Sequence, residues 1–217
     1  MSEYKAVIFD LDGTLIDTID DIADSMNHVL EGMGLPTHPV GAYKIFVGNG
    51  VGHLVTEAVT ASGGTKELIP GALALYIEEY GRNLANKTRP YDGVAELVGE
   101  LVSRGIKIAV LSNKPHLATI EVMRQYFPDV EFDVVFGQRE NVRRKPYPDG
   151  AVEISETLKI SPSQFLYLGD TNVDMATARD AGMTPVGALW GFRDEAELLE
   201  GGAKCVIYSP AGLLELL

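Results

Sequence analysis

Asp10, Leu11 and Asp12 close a short β-branched and aromatic run, Lys5 to Asp10, so the triplet stands where a buried strand gives way to a turn. Residues i and i+2 of an extended segment point the same way and lie about 7 Å apart, while Leu11 turns into the core. Two carboxylates then face one spot. That separation suits one of them attacking phosphorus while the other reaches the leaving-group oxygen. Gly13 and Thr14 come next and offer backbone donors without a bulky side chain beside a phosphate. An Asx turn accounts for an isolated Asp-Gly step without any chemistry, so the rest of the chain must decide.

Three further groups sit just past the ends of predicted strands, where ligands bind in an open parallel sheet. Ser112 and Asn113 come directly after IAVL and could hold phosphate oxygens, although Ser112 would serve equally as the N-cap of the next helix. Lys145, in RRKPYPDG, lies between a predicted strand and helix, with Pro146 and Pro148 stiffening the start of that helix. Asp170 and Asp174 come after FLYLG; they could complement a helix dipole, or Asp170 could bind a hard cation while Asp174 steadies the loop. Carboxylates gathered around a dianionic phosphate repel it, by about 4 kcal/mol per pair of unit charges at 4 Å and an effective dielectric near 20. One Mg²⁺ together with Lys145 reverses that balance. The all-oxygen ligand set, with no Cys or His cluster spaced for zinc, points to the same ion.

These residues need a frame. Runs like the first recur at Ile106 to Leu111, Phe132 to Phe136, Phe165 to Gly169, Thr184 to Leu189 and Cys205 to Tyr208. Helical patterns separate them: Val94 to Arg104 carries apolar residues at 94, 97, 98, 101 and 102 before Gly105, and others are expected near 116–127, 149–158, 173–182 and 211–217. The alternation predicts an α/β fold, a parallel sheet covered on both faces. From about Thr18 to Asn86 no strand is convincing, and Gly and Pro punctuate long amphipathic patterns. The expected organisation is therefore a core of residues 1–17 and 88–217 with a helical insert of residues 18–87 on two linkers.

The 217 residues carry a formal net charge of −13, which disfavours nucleic acid and anionic membrane surfaces as partners. The single cysteine, Cys205, excludes an internal disulfide framework, and its apolar setting predicts a buried, inert thiol. No window reaches the roughly 20 apolar residues of a membrane span, and no targeting segment opens the sequence. The expectation is a cytoplasmic protein acting on a small phosphorylated metabolite, as monomer or homodimer.

In that order, FDLDGTLIDT, LSN, KPYPD and GDTNVDM resemble the four motifs of the haloacid dehalogenase-like hydrolase superfamily, over nearly the whole chain. The resemblance implies a Rossmann-like core with a helical cap inserted after the first strand. It implies that Asp10 forms an aspartyl-phosphate, Asp12 is general acid and then base, Ser112 binds phosphate and Lys145 stabilises charge. It further implies Mg²⁺ held by the Asp10 carboxylate, the Asp12 main-chain carbonyl and Asp170.

Asp12 argues against a dehalogenase within that family, and Asp-Gly-Thr leans toward hydrolysis over sugar mutases. VGNGVGHLV, RPYDGV, SNKP and GALWGF are similar to bacterial phosphoglycolate phosphatases. Gly48, Asn49 and Gly50 are the expected substrate contacts of the cap, with Tyr43, Lys44 and His53 as further candidates. Many relatives with this cap carry an arginine near VGNG; here the nearest cation is Lys44, which cannot form a bidentate fork. Phosphatases for pyrophosphate, sugar phosphates or nucleotides, a β-phosphoglucomutase-like mutase, and a non-catalytic phosphometabolite-binding protein are the competing readings.

Overall fold

The computed structural model describes residues 4–217. The first strand, β1 (Ala6–Phe9), is AVIF with all four residues buried. It leads through the Asp10 to Leu15 turn into the two-residue β2 (Ile16–Asp17). Four helices come next: α1 (Ile19–Gly32), α2 (Val40–Phe46), α3 (Val51–Ala61) and α4 (Ile69–Arg82), with a 3₁₀ turn at Lys66–Leu68. The chain returns through β3 (Arg89–Pro90), which pairs with β2. Then come α5 (Val94–Ser103), β4 (Lys107–Pro115), α6 (His116–Tyr126), β5 (Val134–Gln138) and α7 (Asp149–Leu158). The last elements are β6 (Phe165–Gly169), α8 (Asn172–Asp180), β7 (Thr184–Ala188), α9 (Glu195–Glu200) and β8 (Cys205–Ile207).

Two compact units result. One comprises Pro90–Leu217 with the N-terminal segment up to Ile16, and the other is Asp17–Arg89. In the first, six strands form one sheet in the order β5-β4-β1-β6-β7-β8 with every pairing parallel. This is the α/β parallel sheet the sequence predicts. Parallel strands covered on both faces need no polar face, which is why β1 and β6 read as unbroken apolar runs. Ala6, Ile8 and Tyr167 on one face pack with Ala151 and Ile154 of α7 and Ala178 of α8. Each fully buried aliphatic or aromatic side chain in such a cluster contributes about 1.5–3 kcal/mol.

The helical unit has its own core. Ile22, Met26, Val29 and Leu30 of α1, Leu54, Val55, Ala58 and Val59 of α3, and Ala72, Tyr76 and Tyr80 of α4 are buried at spacings of three and four. Tyr76 and Tyr80 stack with ring centroids 5.5 Å apart. Asp21, in the first turn of α1, is buried among these helices. Its carboxylate accepts from Lys87 N, Thr88 N and Thr88 Oγ1 at 2.7–3.0 Å and so ties the returning chain to α1.

Three local expectations need correction. The strand predicted to end at Leu111 continues to Pro115, with a register shift against β5 between Leu111 and Pro115. The helix predicted over 211–217 is a 3₁₀ segment, Pro210–Leu216; it is short and carries Gly212 near its start, both unfavourable to a full α-helix. Cys205 is half-buried rather than buried, although burial does push its thiol pKa up, toward the inert form. Among the described residues, no helix is long and apolar enough to cross a membrane.

Candidate active site

Every predicted core site residue lies at the carboxyl edge of the parallel sheet, because each comes after or ends a neighbouring strand. Asp10 comes after β1, Ser112 and Asn113 lie in the last residues of β4, Lys145 comes after β5, and Asp170 after β6. The Asp10 amide donates to Leu168 O at 2.9 Å, which locks the turn to β6. Asp10 Oδ1 then takes two donors, Leu11 N and Lys145 Nζ, both at 2.7 Å. No described residue donates a hydrogen bond to Oδ2 of this mostly buried side chain. One oxygen is held and the other is uncommitted.

Lys145 bridges two carboxylates. Its ammonium lies 2.7 Å from Asp10 and 2.6 Å from Asp174, with its side chain only 3% exposed. Burial works against the charge, but Asp10 and Asp174 outweigh it and hold the Lys145 pKa well above the ordinary lysine value. The loop that carries it is pinned by Asn113, whose amide donates to Lys145 O and accepts from Lys145 N at 3.1 and 2.9 Å. Both ends of the Asn113 side-chain amide thus position Lys145, in place of the phosphate contact expected of that amide. Asp174 spends Oδ1 on Lys145 and Oδ2 on Thr171 N and Oγ1, inside the capping box that starts α8.

Asp170 is completely buried. Thr14 Oγ1 donates to its Oδ1 at 3.0 Å and Phe192 N to its Oδ2 at 2.8 Å. Thr14 therefore serves the acid rather than offering its hydroxyl outward. The backbone donors expected from Gly13 and Thr14 are also engaged, by Ile16 O and Leu11 O, because the segment turns tightly after Phe9 instead of staying extended. Gly13 has another purpose: at φ +88°, a Cβ there would fall 2.3 Å from Asp170 Oδ2. Gly191 is tight on the other side, where a Cβ would meet Asp170 Cβ at 2.3 Å, and Trp190 Nε1 donates to Thr14 O. Burial first, then the nearby Asp174 carboxylate, push the Asp170 pKa up to about 7 despite those two donors. Burial, Asp174 and Asp170 together raise Asp10 well above the usual carboxylate range against the pull of Lys145.

Asp12 stands apart from that cluster. Lys114 Nζ bonds both of its oxygens, at 3.0 and 3.3 Å. The Lys114 side chain is 4% exposed and that of Asp12 20%. Ser112 Oγ accepts from Lys114 N at 3.1 Å. The N-cap of α6 is Pro115, which removes the N-cap alternative for Ser112. Sequence reasoning gives no individual role to Lys114, Thr171 or the Trp190 to Phe192 loop, although SNKP, GDTNVDM and GALWGF contain them. The available signal for Lys114 was its place directly after the Ser112-Asn113 pair, in a strand run ending at the same sheet edge.

In the helical unit, Gly48, Asn49 and Gly50 form the turn before α3, both glycines at positive φ. Tyr43 is fully buried, and its hydroxyl donates to Asn27 Oδ1 at 2.6 Å, which corrects its candidacy as a substrate contact. His53 faces Glu57 one helical turn on, at 3.9 Å, and Lys44 is exposed.

The donor set fits a hard cation. One carboxylate oxygen each from Asp10, Asp170 and Asp174 lie within 4.8 Å of one another, all three residues buried. Such a set suits Mg²⁺ or Ca²⁺ rather than zinc. With Asp174 spent on Lys145 and Thr171, the oxygens of Asp10 and Asp170 are the better candidates. Asp12 contributes no side-chain oxygen to this group, in accord with the main-chain carbonyl the resemblance implies for it.

A parallel α/β sheet with acids from two adjacent strands and a buried lysine at its carboxyl edge defines a hydrolase of phosphoryl-transfer type. Residues 7–188 match the family model described as haloacid dehalogenase-like hydrolase, so the chain belongs to that family. It is a phosphatase of the family. The phosphoglycolate phosphatase of Chromobacterium violaceum is 29% identical over 100% of this chain and 98% of its own length. That of Neisseria meningitidis serogroup A is 31% identical, over 94% and 88%. A crystal structure from Lactobacillus delbrueckii subsp. bulgaricus matches at TM-score 0.92 and 32% identity, covering 100% and 99% of the two chains. A predicted phosphoglycolate phosphatase from Haemophilus somnus matches at TM-score 0.91 and 26% identity, covering 100% and 99%.

Proposed function

We propose that this phosphatase hydrolyses 2-phosphoglycolate or a closely similar small phosphomonoester, with Mg²⁺, through a phosphorylated Asp10. The observation that carries the reading is the division of the Asp10 carboxylate: Oδ1 is fixed by Leu11 N and Lys145, and Oδ2 is left to attack. In the first step Asp10 Oδ2 forms a bond to phosphorus as the bond to the leaving-group oxygen breaks, and Asp12 gives that oxygen its proton. In the second, Asp12 takes a proton from water, which attacks phosphorus and releases Asp10 and inorganic phosphate. Ser112 hydrogen-bonds the transferring oxygens and Lys145 offsets their charge. Asp10, Asp170 and the Asp12 carbonyl would hold Mg²⁺, which supplies further positive charge there.

The division into catalytic core and cap, with Gly48, Asn49 and Gly50 choosing the substrate, belongs to the same proposal and rests on the family resemblance. The curated relatives at about 30% identity support the substrate. The test is phosphate release from 2-phosphoglycolate, pyrophosphate, β-glucose 1-phosphate and nucleoside monophosphates, with and without Mg²⁺. Preference for 2-phosphoglycolate is expected. Mg²⁺-dependent release with another preference discards the substrate but keeps the chemistry, and no release at all discards both.

A further inference from the structure

The core site contains two buried lysines with different surroundings. Lys145 is clamped between Asp174 and the Asp10 oxygen that does not attack, with 2.6–2.7 Å to each. Lys114 is 3.0–3.3 Å from both oxygens of Asp12, the group proposed to meet the leaving-group oxygen. Formally, the four carboxylates of Asp10, Asp12, Asp170 and Asp174 face these two ammoniums, an excess of two negative charges. One divalent cation cancels that excess. When Asp12 carries the proton it gives the leaving group, as its proposed role requires, the Lys114 ammonium beside it is no longer matched by that carboxylate and can take one from the leaving group instead.

From these positions we infer that Lys114 reads the leaving group, selecting phosphomonoesters that carry a carboxylate one carbon from the ester oxygen. The inference rests on the proposed role of Asp12 and deepens that reading. Once the ester oxygen is at the Asp12 carboxylate, a carboxylate two bonds away lies within hydrogen-bonding reach of an ammonium that already touches Asp12. A lysine suffices because the ammonium is held in place by burial and by Asp12, so the geometric precision of an arginine fork is not required.

The test compares kcat/KM for 2-phosphoglycolate, 3-phosphooxypropionate and ethyl phosphate in the wild type, K114M and K114R, all with Mg²⁺. In the wild type the order should track the carboxylate, with 2-phosphoglycolate first and ethyl phosphate, whose leaving group carries no charge, last. K114M should lower kcat/KM for 2-phosphoglycolate about 10²-fold more than for ethyl phosphate, the size expected for removing one partner of a desolvated charge pair. K114R should keep part of the preference. Equal losses on both substrates in K114M overturn the inference and leave Lys114 as a residue that positions Asp12. The wild-type series decides even if K114M does not fold: Mg²⁺-dependent release that ignores the position or presence of the carboxylate sinks the inference while the phosphatase reading stands. No Mg²⁺-dependent release from any of the three removes both.

Discussion

Two buried acidic sites, one in each unit, use carboxylates in opposite ways. In the helical unit Asp21 is surrounded by donors: two backbone N–H groups and a hydroxyl from Lys87 and Thr88 satisfy it within 3.0 Å. In the sheet unit Asp10, Asp170 and Asp174 face one another, with oxygens within 4.8 Å, and share one ammonium. The first arrangement lowers the free energy of the folded chain by itself, since a buried carboxylate with a full set of hydrogen bonds forfeits little. The second raises it: burial first, and then the Asp174 carboxylate beside them, push the pKa values of Asp10 and Asp170 up. Burial alone does not mark a functional acid; unrelieved crowding among acids does.

The comparison is broken most severely by exchanging one atom. Asp10→Asn keeps the volume and the acceptor that Leu11 N and Lys145 use, yet removes the nucleophilic oxygen. Turnover should fall by about 10⁴-fold or more while the urea midpoint changes little; residual activity near the wild type would end the nucleophile assignment. Asp21→Ala should do the reverse. Three donors at Lys87 and Thr88 lose their acceptor, and stability should drop by about 3 kcal/mol in urea unfolding, with kcat per folded molecule within about threefold of the wild type. A loss below about 1 kcal/mol would show that water replaces the carboxylate readily and that Asp21 is no structural anchor.

Much of the sheet was legible because its central strands are buried on both faces, so AVIF and FLYLG announce themselves by composition alone. The helix over 94–104 is likewise legible from its apolar spacing, and it forms as Val94–Ser103. The gathering of Asp10, Asp170 and Lys145 at one edge comes from strand order, which alternation of strands and helices strongly restricts. The partners of individual polar side chains were not legible. Thr14 finds Asp170 across 156 positions and Asn113 finds Lys145 across 32, pairings that depend on which loops the strand order brings together. Tyr43 failed for the same reason: an exposed-looking helix of seven residues turns its ring inward because Asn27 offers an acceptor there. Lys114 was hidden by the continuation of β4 beyond Leu111, which carries the lysine inward in a segment that reads as a loop.

Smaller substitutions sharpen the contrast. Asp170→Asn removes one of the crowded charges yet can still accept from Phe192 N and, through its amide, donate to Thr14 Oγ1. Without Mg²⁺ the variant should be about as stable as the wild type, within about 1 kcal/mol, because the relief of a repulsion offsets the acceptor that the buried Thr14 hydroxyl loses. With Mg²⁺ the two should separate: saturation at 100 times Kd stabilises the wild type by about 2.7 kcal/mol and the variant by far less. Thermal melts of both proteins across a Mg²⁺ titration check this, and an equal shift in the two would remove Asp170 from the metal site.

Thr14→Val is the mildest of the four and asks whether the support of Asp170 matters apart from its charge. The substitution keeps shape and removes the hydroxyl that donates to Asp170 Oδ1, leaving Phe192 N as the remaining donor. The net loss of stability should be about 1 kcal/mol. Its effect on Mg²⁺ should be larger than that figure suggests, because an acid released from one donor can rotate, and groups that orient a metal ligand commonly alter affinity about 10- to 100-fold. A Mg²⁺ titration of Thr14→Val monitored by melting temperature separates the two possibilities. Weakened Mg²⁺ response with near-normal metal-free stability places Thr14 in the service of the ion. A metal response identical to that of the wild type confines Thr14 to packing the turn after β1, and the crowded acids would then hold their geometry through Phe192 and the close contacts of Gly13 and Gly191 alone.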